Sequence, residues 1–239
     1  MHNTAYNLGK TLNYNYLNSK PFPNIVLDDF INPEIANQCF VELKNYDGWG
    51  FESPSNEYMK SHQVNKFYSP WSLENLEYLQ QSAPTVYNTL QYFNSEPFLK
   101  FLSELTGIEN LIADPSFSGG GCHKINTGGK LSLHVDYNLN DKNQFRVLNL
   151  LLYLNPDWKE EWEGALELWD NQSKKCAHKI LPLFNRAAIF TLSDNSIHGH
   201  PVPLNCPEDI QRYSLALYYF IEKPNQEYYE RRAVVWHDF

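Results

Sequence analysis

Residues 131–138 read LSLHVDYN, placing His134 and Asp136 two apart in a run that otherwise alternates like a β-strand. Successive strand side chains point to opposite faces. The alternation predicts Leu131, Leu133 and Val135 on one face, with Ser132, His134 and Asp136 on the other. An imidazole and a carboxylate sharing a face are both ligands for first-row metals. An isolated H-x-D is more often the wet side of a half-buried strand, so a third ligand decides the matter.

The segment DNSIHGHPVPL, residues 194–204, offers that ligand twice, as His198 or His200. Two histidines and one carboxylate on one face of iron(II), with coordination positions left open, is a recognised arrangement for oxygen chemistry. The remaining histidines make weaker candidates. His2, His62 and His237 fall in polar segments, and His123 and His178 fall on strands where a structural role suffices. The strand QRYSLALYYFIE adds Arg212, Ser214, Ala216 and Tyr218 on one face and Tyr213, Leu215, Leu217 and Tyr219 on the other. A strand arginine is expensive to bury unless an anion meets it. A guanidinium binds a carboxylate through two parallel hydrogen bonds, so a dicarboxylate can pair with Arg212 and reach a metal with its other end. The competing reading has Arg212 at the open start of its strand, reaching into water.

These side chains need a scaffold to bring them together. Residues 1–20 are polar and rich in Asn and Tyr, and read as an extension. A strand over 24–28 and a helix over 33–44 follow, with Asn32 as N-cap and Pro33 in the first turn. Residues 47–71 intersperse Trp49, Phe51, Tyr58, Phe67, Tyr68 and Trp71 with Gly, Ser, Asn and Pro, and contain Lys60 and Lys66. They read as a long loop suited to close over a ligand. Helices are expected over 82–93 and 96–106, the second with Phe98, Phe101, Leu102 and Leu105 at helical spacing. After Gly107 short strands succeed one another: 116–125, 130–136, 146–154, 164–169, 178–182, 186–192, 197–200 and 211–221. That spacing predicts a β-sandwich or barrel, hence a mainly β protein with flanking helices. The division expected is an extension 1–20 and a single domain 21–239, made of helical support 21–108, β core 109–222 and tail 223–239.

The chain has 239 residues, 42% hydrophobic and 20% charged, as in ordinary globular proteins. A formal charge of −9 and no basic run argue against nucleic-acid binding. No stretch has the length of a membrane span, and the first ten residues lack the pattern of a signal peptide. Cys39, Cys122, Cys176 and Cys206 are too irregularly spaced for a zinc ribbon or redox pair. Free thiols and a cytoplasmic location are the expectation.

In order along the chain, H-V-D, H-G-H-P and R-Y-S-L-A-L-Y-Y-F resemble the iron(II)/2-oxoglutarate-dependent dioxygenases of the prolyl-4-hydroxylase-like branch. The likeness runs over residues 21–222 and includes VLDDFINPEIANQC, GGGCHKINTGG, RVLNLLLYLN and EGALELWD. It implies a double-stranded β-helix (jelly-roll) core backed by N-terminal helices. It implies His134, Asp136 and His198 as ligands of Fe(II), with 2-oxoglutarate as co-substrate, O2 as oxidant and ascorbate as an accessory reductant. It places the co-substrate's far carboxylate on Arg212 and Tyr153, with Asn149 and Ser214 beside them. Alternation independently puts Asn149, Leu151 and Tyr153 on one strand face. The resemblance departs at the 14-residue step from His198 to Arg212 and at Lys124, which replaces a co-substrate tyrosine of some relatives. It implies hydroxylation rather than halogenation, because Asp136 fills the position that chloride would need. The implied substrate is a prolyl residue in a peptide or protein, or free proline. Hydroxylation of a sugar-containing or other small metabolite is the alternative. A non-catalytic binding module on the same fold and a cupin-like metalloenzyme, which has no use for Arg212, are the rivals from other classes.

Overall fold

A computed structural model describes residues 2–51, 61–222 and 230–239. Its helices are α1 (His2–Asn18), α2 (Pro33–Asn45), α3 (Leu73–Ser82), α4 (Pro84–Phe93) and α5 (Glu96–Thr106). Its strands are β1 (Asn24–Leu27), β2 (Gly50–Phe51), β3 (Gln63–Ser69), β4 (Ile112–Ala113), β5 (Gly121–Val135), β6 (Phe145–Tyr153), β7 (Leu166–Asp170), β8 (Lys175–Ile180), β9 (Arg186–Thr191), β10 (Ile197–His200), β11 (Arg212–Ile221) and β12 (Val235–Trp236). Among the described residues no helix is long and apolar enough to cross a membrane. The four cysteines are free thiols.

The strands run in the order β1-β9-β6-β11-β5-β10-β7-β8, with β3 and β12 also pairing β5. β5 joins the two halves of this roll. Its first part, Gly121–Ile125, pairs β11, and its last part pairs β10 through Leu131 and His134. The result is a nearly closed jelly-roll barrel, in which one strand belongs to both walls. Two strands were expected over 116–136. The structure instead continues one strand through the TGG stretch, where the β3 partners slip from Ile125 at Lys66 to Lys130 at Val64. This irregularity absorbs the glycines and bends the strand from one wall to the other.

The helices close one face of the roll. Phe98, Phe101, Leu102 and Leu105 of α5 and Val86, Leu90 and Phe93 of α4 form one buried cluster with Leu148, Leu150, Leu152, Leu215, Leu217 and Tyr219 of β6 and β11. Fully burying such side chains contributes about 1.5–3 kcal/mol each, so this layer fixes the strands that carry Arg212. Asn32 caps α2 as expected, accepting from the Glu34 and Ile35 amides. Residues 2–18 form a helix packed on α5, with the Tyr16 hydroxyl 2.6 Å from Thr191 Oγ1, where an extension was expected. The segment 47–71 contains β2 and β3 rather than loop alone. Trp49 packs on Tyr46 and Tyr213, while Trp71 is largely exposed. Tyr58 and Lys60 lie outside the described residues. The helix expected over 82–93 begins at Pro84, and α3, which the sequence reading missed, precedes it.

Candidate active site

His134 and His198 are direct cross-strand partners of β5 and β10, so their side chains meet on one face of an antiparallel pair. Asp136 follows at the end of β5. The ligand atoms of the three residues lie within 4.8 Å of one another, and all three side chains are buried. Gly199 lets β10 approach so closely: a Cβ there would fall 2.7 Å from the Ser132 carbonyl oxygen.

Both rings are held in one tautomer. His134 Nδ1 meets the Ser132 carbonyl at 2.9 Å and His198 Nδ1 meets the Ser196 carbonyl at 2.8 Å. A carbonyl only accepts, so each Nδ1 carries the proton and each Nε2 is left bare in the neutral ring. Those bare nitrogens point at Asp136 oxygens 3.5 and 3.4 Å away. Lone pairs facing one another across that gap call for a cation between them. Two imidazole nitrogens and a carboxylate suit a first-row divalent metal such as iron, and the carbonyl contacts supply the outer support such ligands need.

Asp136 has a second set of partners that the sequence reading missed. The Arg146 guanidinium lies 3.0 Å from its Oδ2, and the Asn149 amide donates to the same oxygen at 2.9 Å. Asn149 Oδ1 in turn accepts two bonds from Arg146. Arg146 also stacks on Tyr218, 3.3 Å from its ring centre. Burial would raise the Asp136 carboxyl, but the Arg146 guanidinium beside it outweighs burial and holds it well below the usual carboxylate range. Burial works against the Arg146 charge as well, and Asp136 more than restores it. Burial, aided by His198, lowers the His134 imidazole and keeps it neutral. Asn149, expected beside the co-substrate, is committed to Asp136 and Arg146 instead.

Arg212 is 4% exposed, which excludes the reading in which it reaches into water. Its Nε donates to the Gly164 carbonyl at 2.9 Å, and its guanidinium lies 4.9 Å from the Tyr153 ring centre. The Tyr153 hydroxyl has no hydrogen-bond partner of sound geometry among the described residues. Burial raises its pKa and the nearby Arg212 charge pulls it back in part. Ser214 faces the same space from β11. One cavity of about 250 Å³ contains the triad, Arg146, Arg212, Ser214, His123, Lys66 and His200 in its walls. A buried cation beside an unpaired hydroxyl is a ready seat for a carboxylate.

The other expectations divide. Leu131 faces the cavity with His134, because the β5–β10 register shifts between His198 and His200. Lys124 points away from it, over the Trp49 and Phe67 rings, while His123 and Ile125 line it. His62 is buried and stacked on Trp236, not exposed. The one sequence sign of Arg146 was a charge near the start of the apolar run FRVLNLLLY.

Residues 120–220 match the family described as the 2OG-Fe(II) oxygenase superfamily. A mouse (Mus musculus) protein, "Prolyl 3-hydroxylase OGFOD1", is 22% identical over 198 residues, covering 81% of this chain and 33% of that protein. The chain thus spans about a third of that relative's length. A prolyl hydroxylase from Trichoplax adhaerens, solved with a peptide of the hypoxia-inducible factor oxygen degradation domain, superposes with a TM-score of 0.58 at 18% identity, covering 91% of each chain. HygX from Streptomyces hygroscopicus, solved with nickel, 2-oxoglutarate and hygromycin B, gives a TM-score of 0.51 at 11% identity, covering 83% of this chain and 82% of its own. Likeness at these identities establishes the jelly-roll fold.

Proposed function

We propose that the chain, whose residues 120–220 match the 2OG-Fe(II) oxygenase superfamily, hydroxylates a prolyl residue of a peptide or protein, or free proline. The chemistry of the superfamily is iron(II)- and 2-oxoglutarate-dependent oxygenation. Substrate C–H, O2 and 2-oxoglutarate become the alcohol, succinate and CO2, so one oxygen atom enters each organic product. The observation that carries the reading is the meeting of two bare Nε2 atoms and the Asp136 carboxylate in one cavity with Arg212.

Iron bound there would supply the one-electron and oxygen chemistry that side chains cannot perform. His134, Asp136 and His198 are the residues that would hold it. Arg212 and Tyr153 seat the far carboxylate of the co-substrate, with Ser214 alongside, and the buried walls keep bulk water from the reacting centre. Arg146 and Asn149 fix the orientation of Asp136. Tyr137 and Tyr218, each with the Arg146 guanidinium over its ring, also line the cavity and add aromatic surface to its wall. Support for proline comes from the prolyl hydroxylases among the similar proteins. The fold likeness to a hygromycin-bound structure supports a sugar-containing small molecule as the second reading.

The test is a succinate-release screen with Fe(II) and 2-oxoglutarate, with and without ascorbate, across proline-containing peptides, free proline and glycosides. Mass spectrometry should locate a single added oxygen on proline. Turnover confined to glycosides would replace the first reading with the second.

A further inference from the structure

One polar side chain in the cavity belongs neither to the triad nor to the Arg212–Tyr153 pair. His200 is 4% exposed, and neither of its ring nitrogens has a hydrogen-bond partner among the described residues. It differs in this from His134 and His198, each of which gives its Nδ1 proton to a carbonyl. The strand geometry explains the difference. The register shift after His198 sets His200 opposite Leu131, and the ring is turned into the cavity. The titratable groups around it are Arg212, Lys66, His134 and His123. Asp136 is the sole acidic side chain among the described residues lining the cavity, and its oxygens are taken by the triad and Arg146.

Unpaired buried polar atoms are rare and ask for a reason. Here two residues carry them in one place: His200, with both nitrogens, and Tyr153, with its hydroxyl, both beside Arg212. A ligand with several acceptor oxygens at that end satisfies both at once. We propose that His200 is a co-substrate-binding residue whose ring N–H donates to the distal carboxylate seated on Arg212. The inference rests on the oxygenase reading above and adds a third donor to its anion seat. It also assigns His200 a part in selecting a 2-oxo dicarboxylic acid over a 2-oxo acid with no second carboxylate.

The experiment is a calorimetric titration of the full chain loaded with Mn(II), in the absence of oxygen, with 2-oxoglutarate and separately with oxalate. Oxalate reproduces the metal-chelating end and has no distal carboxylate. His200→Phe keeps a planar aromatic ring and removes the donor. It should bind 2-oxoglutarate at least roughly tenfold more weakly, the effect of one donor to a charged acceptor, while Mn(II) and oxalate bind as in the wild type. His200→Gln, which restores an N–H, should recover part of the loss. Unchanged 2-oxoglutarate affinity in His200→Phe, or an equal loss for both acids, would overturn the proposal. So would loss of Mn(II) from both His200→Phe and His200→Leu, which would make the ring a prop of the metal site. A wild type that takes Mn(II) but no 2-oxoglutarate would overturn the oxygenase reading itself, and this inference with it.

Discussion

At the scale of single residues, the site depends on Asp136 having two cationic claimants. Arg146 neutralises it in the metal-free protein, and a metal would compete for the same oxygens. Arg146→Met should therefore act in opposite directions on two measurements. Breaking a buried ion pair costs about 3–5 kcal/mol, so the metal-free variant should unfold at distinctly lower urea. Metal addition should then stabilise it more than it stabilises the wild type, because no guanidinium has to be outcompeted. A smaller gain on metal addition would show that Arg146 helps the carboxylate bind rather than substituting for the ion. Arg212→Ala should raise the apparent Michaelis constant for 2-oxoglutarate by tenfold or more, since truncating a buried charge partner costs roughly 2–5 kcal/mol. Iron content, measured on the same preparation, should stay at the wild-type level. His198 was singled out from His200 only by the family resemblance. The pairing of His134 with Asp136 could be read from the sequence because a strand periodicity of two places side chains without knowledge of the fold. Arg146 could not, since nothing in FRVLNLLLY says which wall its second residue faces. Asn149 was placed on the correct face, but its partner depends on where β5 ends.

At the scale of elements, β5 carries most of the arrangement. Gly121 starts it with φ of +79°, and an added Cβ would meet the Ser69 carbonyl oxygen at 2.3 Å. The carbonyl belongs to β3, which supplies Lys66 to the cavity wall. Gly121→Ala should lower unfolding stability by about 2–3 kcal/mol, combining the positive-φ cost with displacement of β3, as read by chemical denaturation. A change below 0.5 kcal/mol, about the size of an ordinary surface substitution, would mean that β3 gives way freely. The strands over 146–154, 186–192, 197–200 and 211–221 were legible because their runs are apolar or alternating and bounded by turn residues. β3 was not. Its sequence QVNKFYS alternates poorly, and its partners in β5 lie far along the chain, as in Ser69 with Cys122 and Gln63 with Leu131. α1 escaped for a similar reason, its polar sequence being held by packing on α5 rather than by helix signals of its own.

At the scale of the whole molecule, the end of the chain returns to the site. Val235 and Trp236 pair with Val135 and His134, and His237 donates its amide to the Leu133 carbonyl at 2.8 Å. Trp236 stacks on His62, with ring centres 4.7 Å apart, and lies 5.2 Å from the His134 ring. Val235 and Trp236, read from the sequence as part of the tail of the domain, thus cover His134, which only the closed fold could reveal. Trp236→Ala should cost about 1–3 kcal/mol in stability through lost aromatic packing. It should also speed metal loss to a chelator, because the ring no longer shields His134. Unchanged release in stopped-flow would restrict Trp236 to packing.

His134, Asp136 and His198 are expected to hold one metal while His200 stays outside its coordination sphere. Crystals of the full chain grown with zinc in place of iron, and with 2-oxoglutarate, test it directly by anomalous diffraction. A single peak is expected at roughly 2.1 Å from the two Nε2 atoms and an Asp136 oxygen. A peak on His200 in place of His198, or none within the triad at full zinc loading, would rule out these three residues as the metal's ligands.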